Sequence, residues 1–390
     1  MKSVPFVECL RIRNYRTLQD FKIENFSPLT VFVGPNGSGK STVSDVFAFL
    51  AECFSSGLVK ACEKRGGLNE MRSRGMQSRI VFELKYRENI HIPAITYHLS
   101  IDEHEQGPCV EKEFLEWRPE SGAAPCRFLD FSRGAGKVVP GEFPADRDQA
   151  IEEQFDSEAI LAVNTLGHFA KHPRINLLRR FVSDWHLFRL RADTHRMTPE
   201  AKPQKRLCVH GDNLANVILY FREKHPEKLD FIFSVLSGRI PHWEGADARI
   251  KTDGRLHLCM KDAPFDRFIP ARFASEGTLK MLSYLTILFH PDPPRLTGLE
   301  EPENHLHARF LPDLAEDCRR AAEDSQLLVT THSPYFVDGL KPEEVWVLNR
   351  DKSGFTGARQ ASEIPGIRAF MEEGANLGQL WAEGFFDDAC

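Results

Sequence analysis

The chain has 390 residues, room for one large domain or two intimate ones, and its 42% hydrophobic and 27% charged fractions are those of a soluble globular protein. No run approaches a transmembrane span, the segment Met1–Glu8 is not a signal peptide, and nine scattered cysteines without a C-x-x-C pair fit reduced thiols rather than a disulfide frame or zinc site, so a cytoplasmic protein is expected. A net charge of -6 gives no global pull toward nucleic acid, and any such surface must be a local patch.

In chain order, Val7–Ile12 and Leu18–Ile23 alternate like paired strands, and the apolar run Leu29–Val33 reads as a buried strand. Helical spacing at Val43, Val46, Phe47 and Leu50 follows, and the glycine pair Gly66-Gly67 is the expected end of that helix. The runs Arg79–Tyr86, Ala94–Asp102 and Val110–Trp117 read as an antiparallel meander. Residues 119–148, rich in Gly and Pro, read as loop. Arg133–Lys137 there has the glycines of a phosphate loop but no strand leading into it. Residues 149–195 have mostly helical spacing. Two more helices, Asp212–Phe221 with Asp212 as N-cap and Leu229–Leu236, precede a hairpin signal at Asp253-Gly254 within Ala248–Lys261. Strand–helix alternation then returns: helix Ser275–Phe289, strand Leu296–Glu300, helix Ala308–Ala322, and strands Gln326–Thr331 and Val345–Asn349.

Between the strand at Leu29–Val33 and the next helix lie Gly34, Pro35, Asn36, Gly37, Ser38, Gly39, Lys40, Ser41 and Thr42, the pattern G-x-x-x-x-G-K-[ST]. Glycines let backbone N–H groups close around phosphate oxygens, Lys40 can reach the β- and γ-phosphates, and the Ser41 hydroxyl can ligate Mg²⁺. Downstream, a strand ends in Glu300 and Glu301. The first carboxylate suits the Mg²⁺ shell and the second can orient or deprotonate the attacking water. His332 follows another apolar strand, where it can hydrogen-bond the γ-phosphate. Ser275, Glu276, Gly277 and Thr278 open a helix, which by itself reads better as an ordinary cap, with Ser275 capping, than as an anion site. Glu303, His305 and His307 could suggest a metal site, but packing beside the carboxylates explains them better. Ten basic residues fall between Lys171 and Arg206, among them Arg179, Arg180, Arg189, Arg191 and Arg196, against only Asp184, Asp193 and Glu200. With interleaved Phe181, Trp185 and Phe188 they could track a nucleic-acid backbone or form a solvated face of a helical lobe.

The order of these motifs resembles the ABC-type ATPase heads of the SMC, RecF and OLD group, and the compact bacterial AAA-type members that lack a Toprim domain. Ile12–Thr17 resembles their opening strand, Gly34–Thr42 their Walker A loop, and Ser275–Thr278 their signature in a shortened form. Glu300–Asn304 is similar to their Walker B and D-loop, with Glu for the commoner first Asp, and Thr331–Pro334 to their H-loop. The tail Leu377–Trp381 is also similar to compact members. The resemblance implies an α/β fold: a P-loop NTPase head with an antiparallel β lobe and an inserted helical lobe. Its parts would be 1–118, 119–265 and 266–390. It implies ATP and Mg²⁺ as ligands and slow ATP hydrolysis. It also implies a dimer in which Ser275, Glu276 and Gly277 of one subunit meet the nucleotide held by the other. Gln77 and Gln106 are candidates for the glutamine loop. OLD nucleases carry a Toprim domain after the ATPase, and the residues after His332 leave no room for one. A separately encoded effector, a nuclease in anti-phage defence, is therefore the expected partner. A RecF-like repair factor that works on DNA, or an ATP-gated module restraining a toxic partner, is the alternative.

Overall fold

The computed structural model describes residues 5–89, 92–105, 107–117, 125–142, 149–191, 198–252 and 254–386. Gln106, Asp193, Arg196 and Asp253 lie outside them. Two large sheets organise the chain. The first is antiparallel and contains β1 (Phe6–Tyr15), β2 (Leu18–Glu24), β4 (Ile80–Arg87), β5 (Ile95–His104), β6 (Gly107–Trp117), β7 (Cys126–Ser132), β8 (Ala135–Val138) and β9 (Ile151–Gln154), in the order β2-β1-β4-β5-β6-β7-β8-β9. The second contains β10 (Trp185–Phe188), β14 (Leu296–Glu300), β15 (Gln326–Thr331), β3 (Leu29–Val33), β16 (Val345–Arg350) and β17 (Thr356–Gln360) in that spatial order, parallel except for the β16–β17 pair. All five residues of β3 are buried: Phe32 faces one core, while Leu29, Val31 and Val33 face another. Covering both faces of a parallel sheet produces such continuous apolar runs.

Helix α1 (Lys40–Ser56) packs between the sheets. Its Val43, Val46, Phe47, Phe49 and Leu50 share one core with Phe82 of the antiparallel sheet and Phe32, Leu296 and Leu328 of the parallel one. α5 (Pro173–Ser183) packs beside it. The opposite face of the parallel sheet is covered by α6 (Leu214–Lys224), α7 (Pro226–Arg239), α8 (Glu276–Leu288) and α9 (Leu311–Ala321), together with the small sheet β11 (Trp243–Ile250), β12 (Leu256–Asp262) and β13 (Ile269–Pro270).

Several expectations change. The helix after the phosphate loop breaks at Gly57 (φ 89°) and restarts as α2 (Leu58–Glu63). The expected loop 119–148 contains β7 and β8, with Arg133 and Gly134 as the turn between them. Residues 149–195 supply β9 and β10 as well as helices, so the expected helical lobe over 119–265 is distributed among all three sheets and the helices of both cores. Asp212 does not cap α6; the N-cap position falls to Asn213, whose side chain instead accepts from the Cys208 N–H at 2.8 Å.

Candidate nucleotide site

Gly34–Thr42 joins β3 to α1, and three of its glycines have positive φ: Gly34 (153°), Gly37 (81°) and Gly39 (109°). At Gly34 a Cβ would collide with the Leu348 carbonyl oxygen, and at Gly39 with the Thr356 hydroxyl. The loop is thus closed by the two C-terminal strands. The buried Thr356 hydroxyl sits 2.9 Å from both the Ser38 carbonyl oxygen and the Thr17 hydroxyl. Lys40 Nζ donates to the carbonyls of Gly34 (2.7 Å) and Pro35 (3.1 Å). Burial pushes its ammonium below the ordinary lysine range, and Glu301 and Glu303 oppose that. Beneath the loop, Asp45 of α1 accepts from Tyr15 Oη at 2.6 Å and pairs with Arg16 and Arg65. This explains the opening strand: its Tyr15 and Arg16 hold the helix that carries Lys40.

The carboxylates stand at the end of β14, with β15 between β14 and β3. Glu301 leaves the strand at φ 45°, its N–H bonded to the Thr330 carbonyl at 2.8 Å and its Oε2 accepting from Asn304 Nδ2 at 3.0 Å. His332 Nδ1 lies 3.8 Å from Glu301 Oε1 and 3.2 Å from Glu303 Oε1, and its backbone N–H donates to Glu303 Oε1 at 2.7 Å. Glu303, with a side chain only 7% exposed, therefore fixes the histidine turn. The sequence reading missed this role, although Glu303 two residues beyond Glu301 was the available signal. Among the described residues no group of three or more His, Cys, Asp or Glu could hold a metal ion: His305 pairs with Glu276 at 3.1 Å and His307 accepts from the Arg309 N–H.

Glu300 is placed differently from expectation. Its Oε1 accepts from Ser44, one turn beyond Ser41, at 2.9 Å, and its Oε2 is held by Arg189. Ser41 itself is exposed. Among the described residues the basic run does not form one surface either. Arg189 belongs to the carboxylate site, Lys205 and Arg206 pair with Asp292 and Asp184, and Arg179 packs on Gly167. Arg180 is exposed and lines an open cleft of about 710 Å³ with Arg179 and Arg295, while Arg191 follows β10.

Ser275 occupies the N-cap position of α8, yet its side chain caps no helix N–H. With Gly277, Thr278, Met281 and His305 it lines a cavity of about 250 Å³ whose lining includes no residue of Gly34–Thr42. A Cβ on Gly277 would press against the His305 carbonyl oxygen at 2.8 Å, and Lys280 Nζ donates to the Asn304 carbonyl at 2.8 Å. Helix α8 is therefore joined to the loop that carries Glu301. Gln77 and Thr42 line a separate cavity of about 900 Å³ together with Arg16, Arg72, Arg74 and Arg350.

Comparison with known families settles the class. The profile of the family described as "AAA domain, putative AbiEii toxin, Type IV TA system" matches residues 141–338, just over half of the chain, and that of the "AAA ATPase domain" family matches residues 6–174. The chain belongs to the AAA ATPase family. An SMC head solved bound to the C-winged helix domain of ScpA is similar over 91% of this chain and 97% of its own, with 13% identity and a TM-score of 0.56. The SMC head with an extended coiled coil, solved with the C-terminal domain of ScpA derived from Pyrococcus furiosus, is similar over 95% and 99%, with 12% identity and a TM-score of 0.53. These likenesses show the fold, a P-loop ABC-type head. No individual curated protein matches the chain. No helix among the described residues is long and apolar enough to cross a membrane.

An ATPase of this class implies a nucleotide and a divalent cation. The donors suit Mg²⁺, which takes one or two hard oxygen ligands from protein beside those of phosphate. Ser41 offers a hydroxyl and Glu300 a carboxylate, and the guanidinium held on Glu300 marks the position as one that accepts positive charge.

Proposed function

We propose that the chain binds and hydrolyses ATP at Gly34–Thr42, within a dimer in which each subunit completes its partner's site. The observation that carries this reading is the convergence of Lys40, Glu301 and the Glu303-held His332 at the ends of the adjacent strands β3, β14 and β15. Backbone N–H groups of the loop and Lys40 hold the phosphates, and the neighbouring cavity lined by Arg16 and Arg350 receives the rest of the nucleotide. Ser41 and Glu300 would hold Mg²⁺, which neutralises charge on the phosphate oxygens. Glu301 orients the attacking water and takes its proton, and His332 hydrogen-bonds the γ-phosphate. Ser275 and Gly277, whose cavity contains no part of their own phosphate loop, serve the partner's nucleotide.

The test is Glu301→Gln. ATP binding should persist, turnover should fall by about a hundredfold or more, and the ATP-bound dimer should accumulate in sedimentation or light scattering. Full turnover in this variant would remove Glu301 from the mechanism.

We further propose that the nucleotide state controls a separately encoded effector, a nuclease or another toxic protein, in anti-phage defence. Support comes from the match to the family described as "AAA domain, putative AbiEii toxin, Type IV TA system". DNA or RNA contact, through Arg180 and its neighbours, belongs to this reading as well.

A further inference from the structure

We propose that Arg189 is a resident cation that occupies the place of Mg²⁺ on Glu300 and is displaced when Mg²⁺ and ATP bind, so that it sets the metal affinity of the site. This rests on the assignment of Glu300 to the divalent cation. Parallel pairing of Phe188 with Leu299 places the next residues, Arg189 and Glu300, side by side at the strand ends. Arg189 Nε and Nη2 both approach Glu300 Oε2, at 2.6 and 2.5 Å, while the other oxygen accepts the Ser44 hydroxyl at 2.9 Å. Both carboxylate oxygens are thus in use.

A divalent cation needs one of those oxygens, and a guanidinium held on the same carboxylate opposes it because the two positive charges repel across a few ångströms. Of the two partners, Arg189 is the one that can leave. Its side chain is 55% exposed, whereas Ser44 is buried within α1. The Arg189 main chain stays where it is: its N–H donates to the Val209 carbonyl at 2.9 Å, and its carbonyl oxygen lies 3.0 Å from His210 Nδ1. The exchange is therefore a side-chain rotation, not a movement of β10. Until the metal arrives, the guanidinium neutralises a carboxylate that is only 15% exposed and whose charge would otherwise be poorly solvated.

A half-exposed ion pair is weak, so the competition is worth about 1.5-fold to fivefold in metal affinity. The experiment uses the full chain carrying Glu301→Gln with ATP stoichiometric to the protein, and follows Mn²⁺ binding through the electron paramagnetic resonance signal of free Mn²⁺ against a control with ATP alone. Arg189→Met, which keeps the aliphatic stem, should tighten Mn²⁺ binding by that factor, while Arg189→Lys should stay near the parent. Thermal unfolding without nucleotide checks that each variant folds, and the stabilisation produced by Mn²⁺ with ATP should be larger in Arg189→Met than in the parent. Unchanged Mn²⁺ affinity in Arg189→Met, with binding still lost in Glu300→Gln, would overturn this proposal and leave the ATPase assignment intact. Weaker binding in Arg189→Met would place Arg189 among the phosphate-binding groups and overturn it too. Mn²⁺ binding indifferent to Glu300→Gln would overturn the metal assignment itself and the proposal with it.

Discussion

Thr356 shows how a single side chain far along the sequence shapes the phosphate loop. Its hydroxyl bridges Ser38 of the loop and Thr17 of the β1–β2 turn, and its backbone N–H donates to the Thr17 carbonyl at 2.8 Å. Only a glycine at position 39 leaves space for it. Replacing the hydroxyl by a methyl in Thr356→Val keeps the volume and removes the bridge. Buried polar groups then lose a partner, at a cost of about 1–3 kcal/mol. Calorimetric unfolding should show that loss, and titration with a fluorescent ATP analogue should show weaker binding, because the loop is no longer held before the phosphates arrive. Parent-like stability together with parent-like affinity would mean that Gly39 and the loop's own turns suffice. The loop's residue types were legible in the sequence because each follows from phosphate chemistry over nine contiguous positions. Thr356 was not, since its role depends on a contact more than three hundred positions away.

At the scale of elements, two buried glutamates join the antiparallel sheet to the helices of the other layer. Glu113 of β6 accepts from the N–H groups of Ala162 and Val163, at the start of α4 (Ala162–Leu166), and from Tyr97 Oη at 3.0 Å. Glu142 similarly accepts from the N–H groups of Arg174 and Ile175 on α5. Burial raises the Glu113 carboxyl to about 7, against the lowering effect of those three hydrogen bonds. Since the folded-state value lies above the unfolded one, the stabilisation is complete below the unfolded value of 4.5 and is lost as pH rises through about 7. Glu113→Gln removes this dependence, because the amide stays neutral at every pH. Relative to the parent, the variant should therefore gain stability between about pH 5 and pH 8, by roughly 2–4 kcal/mol. His172, which burial lowers to about 4, acts in the opposite sense at lower pH but is common to both proteins and cancels in the difference. Denaturant unfolding at the two pH values measures it, and a constant difference would show that Glu113 is already ionised across that range. Elements with strong local patterns, such as β3, β14, β15 and α8, were legible from sequence. The short strands were not: β9 is an exposed acidic edge, and β10 is four residues whose partner β14 begins at Leu296, so neither has a local signal.

Across the whole molecule, α1 links the two sheets, and α8 is tied to the loop after β14 because Gly277, Glu276 and Lys280 all bear on His305 and Asn304. In the proposed dimer, a subunit docking on Ser275 would thereby also press on the segment that carries Glu301. The motif order was legible in the sequence, but these cis contacts and the Arg189–Glu300 pair were not, since they depend on which strands and loops become neighbours. The separation of the Ser275 cavity from the phosphate loop gives a direct test of sharing between subunits. Lys40→Ala removes nucleotide binding, and Ser275→Arg blocks the cavity while leaving Lys40 intact, so each variant alone should be inactive. Mixed in equal amounts and allowed to exchange, they pair at random. Half of the dimers are then hybrids, and each hybrid has one site with both defects and one with none. ATPase activity should recover to about a quarter of the parent's specific value, and this fraction follows only from a two-fold dimer with sites built from both chains. If each chain instead completed its own site, every site in every hybrid would carry one defect. The mixture would then stay as inactive as its components, and the shared-site reading would fail.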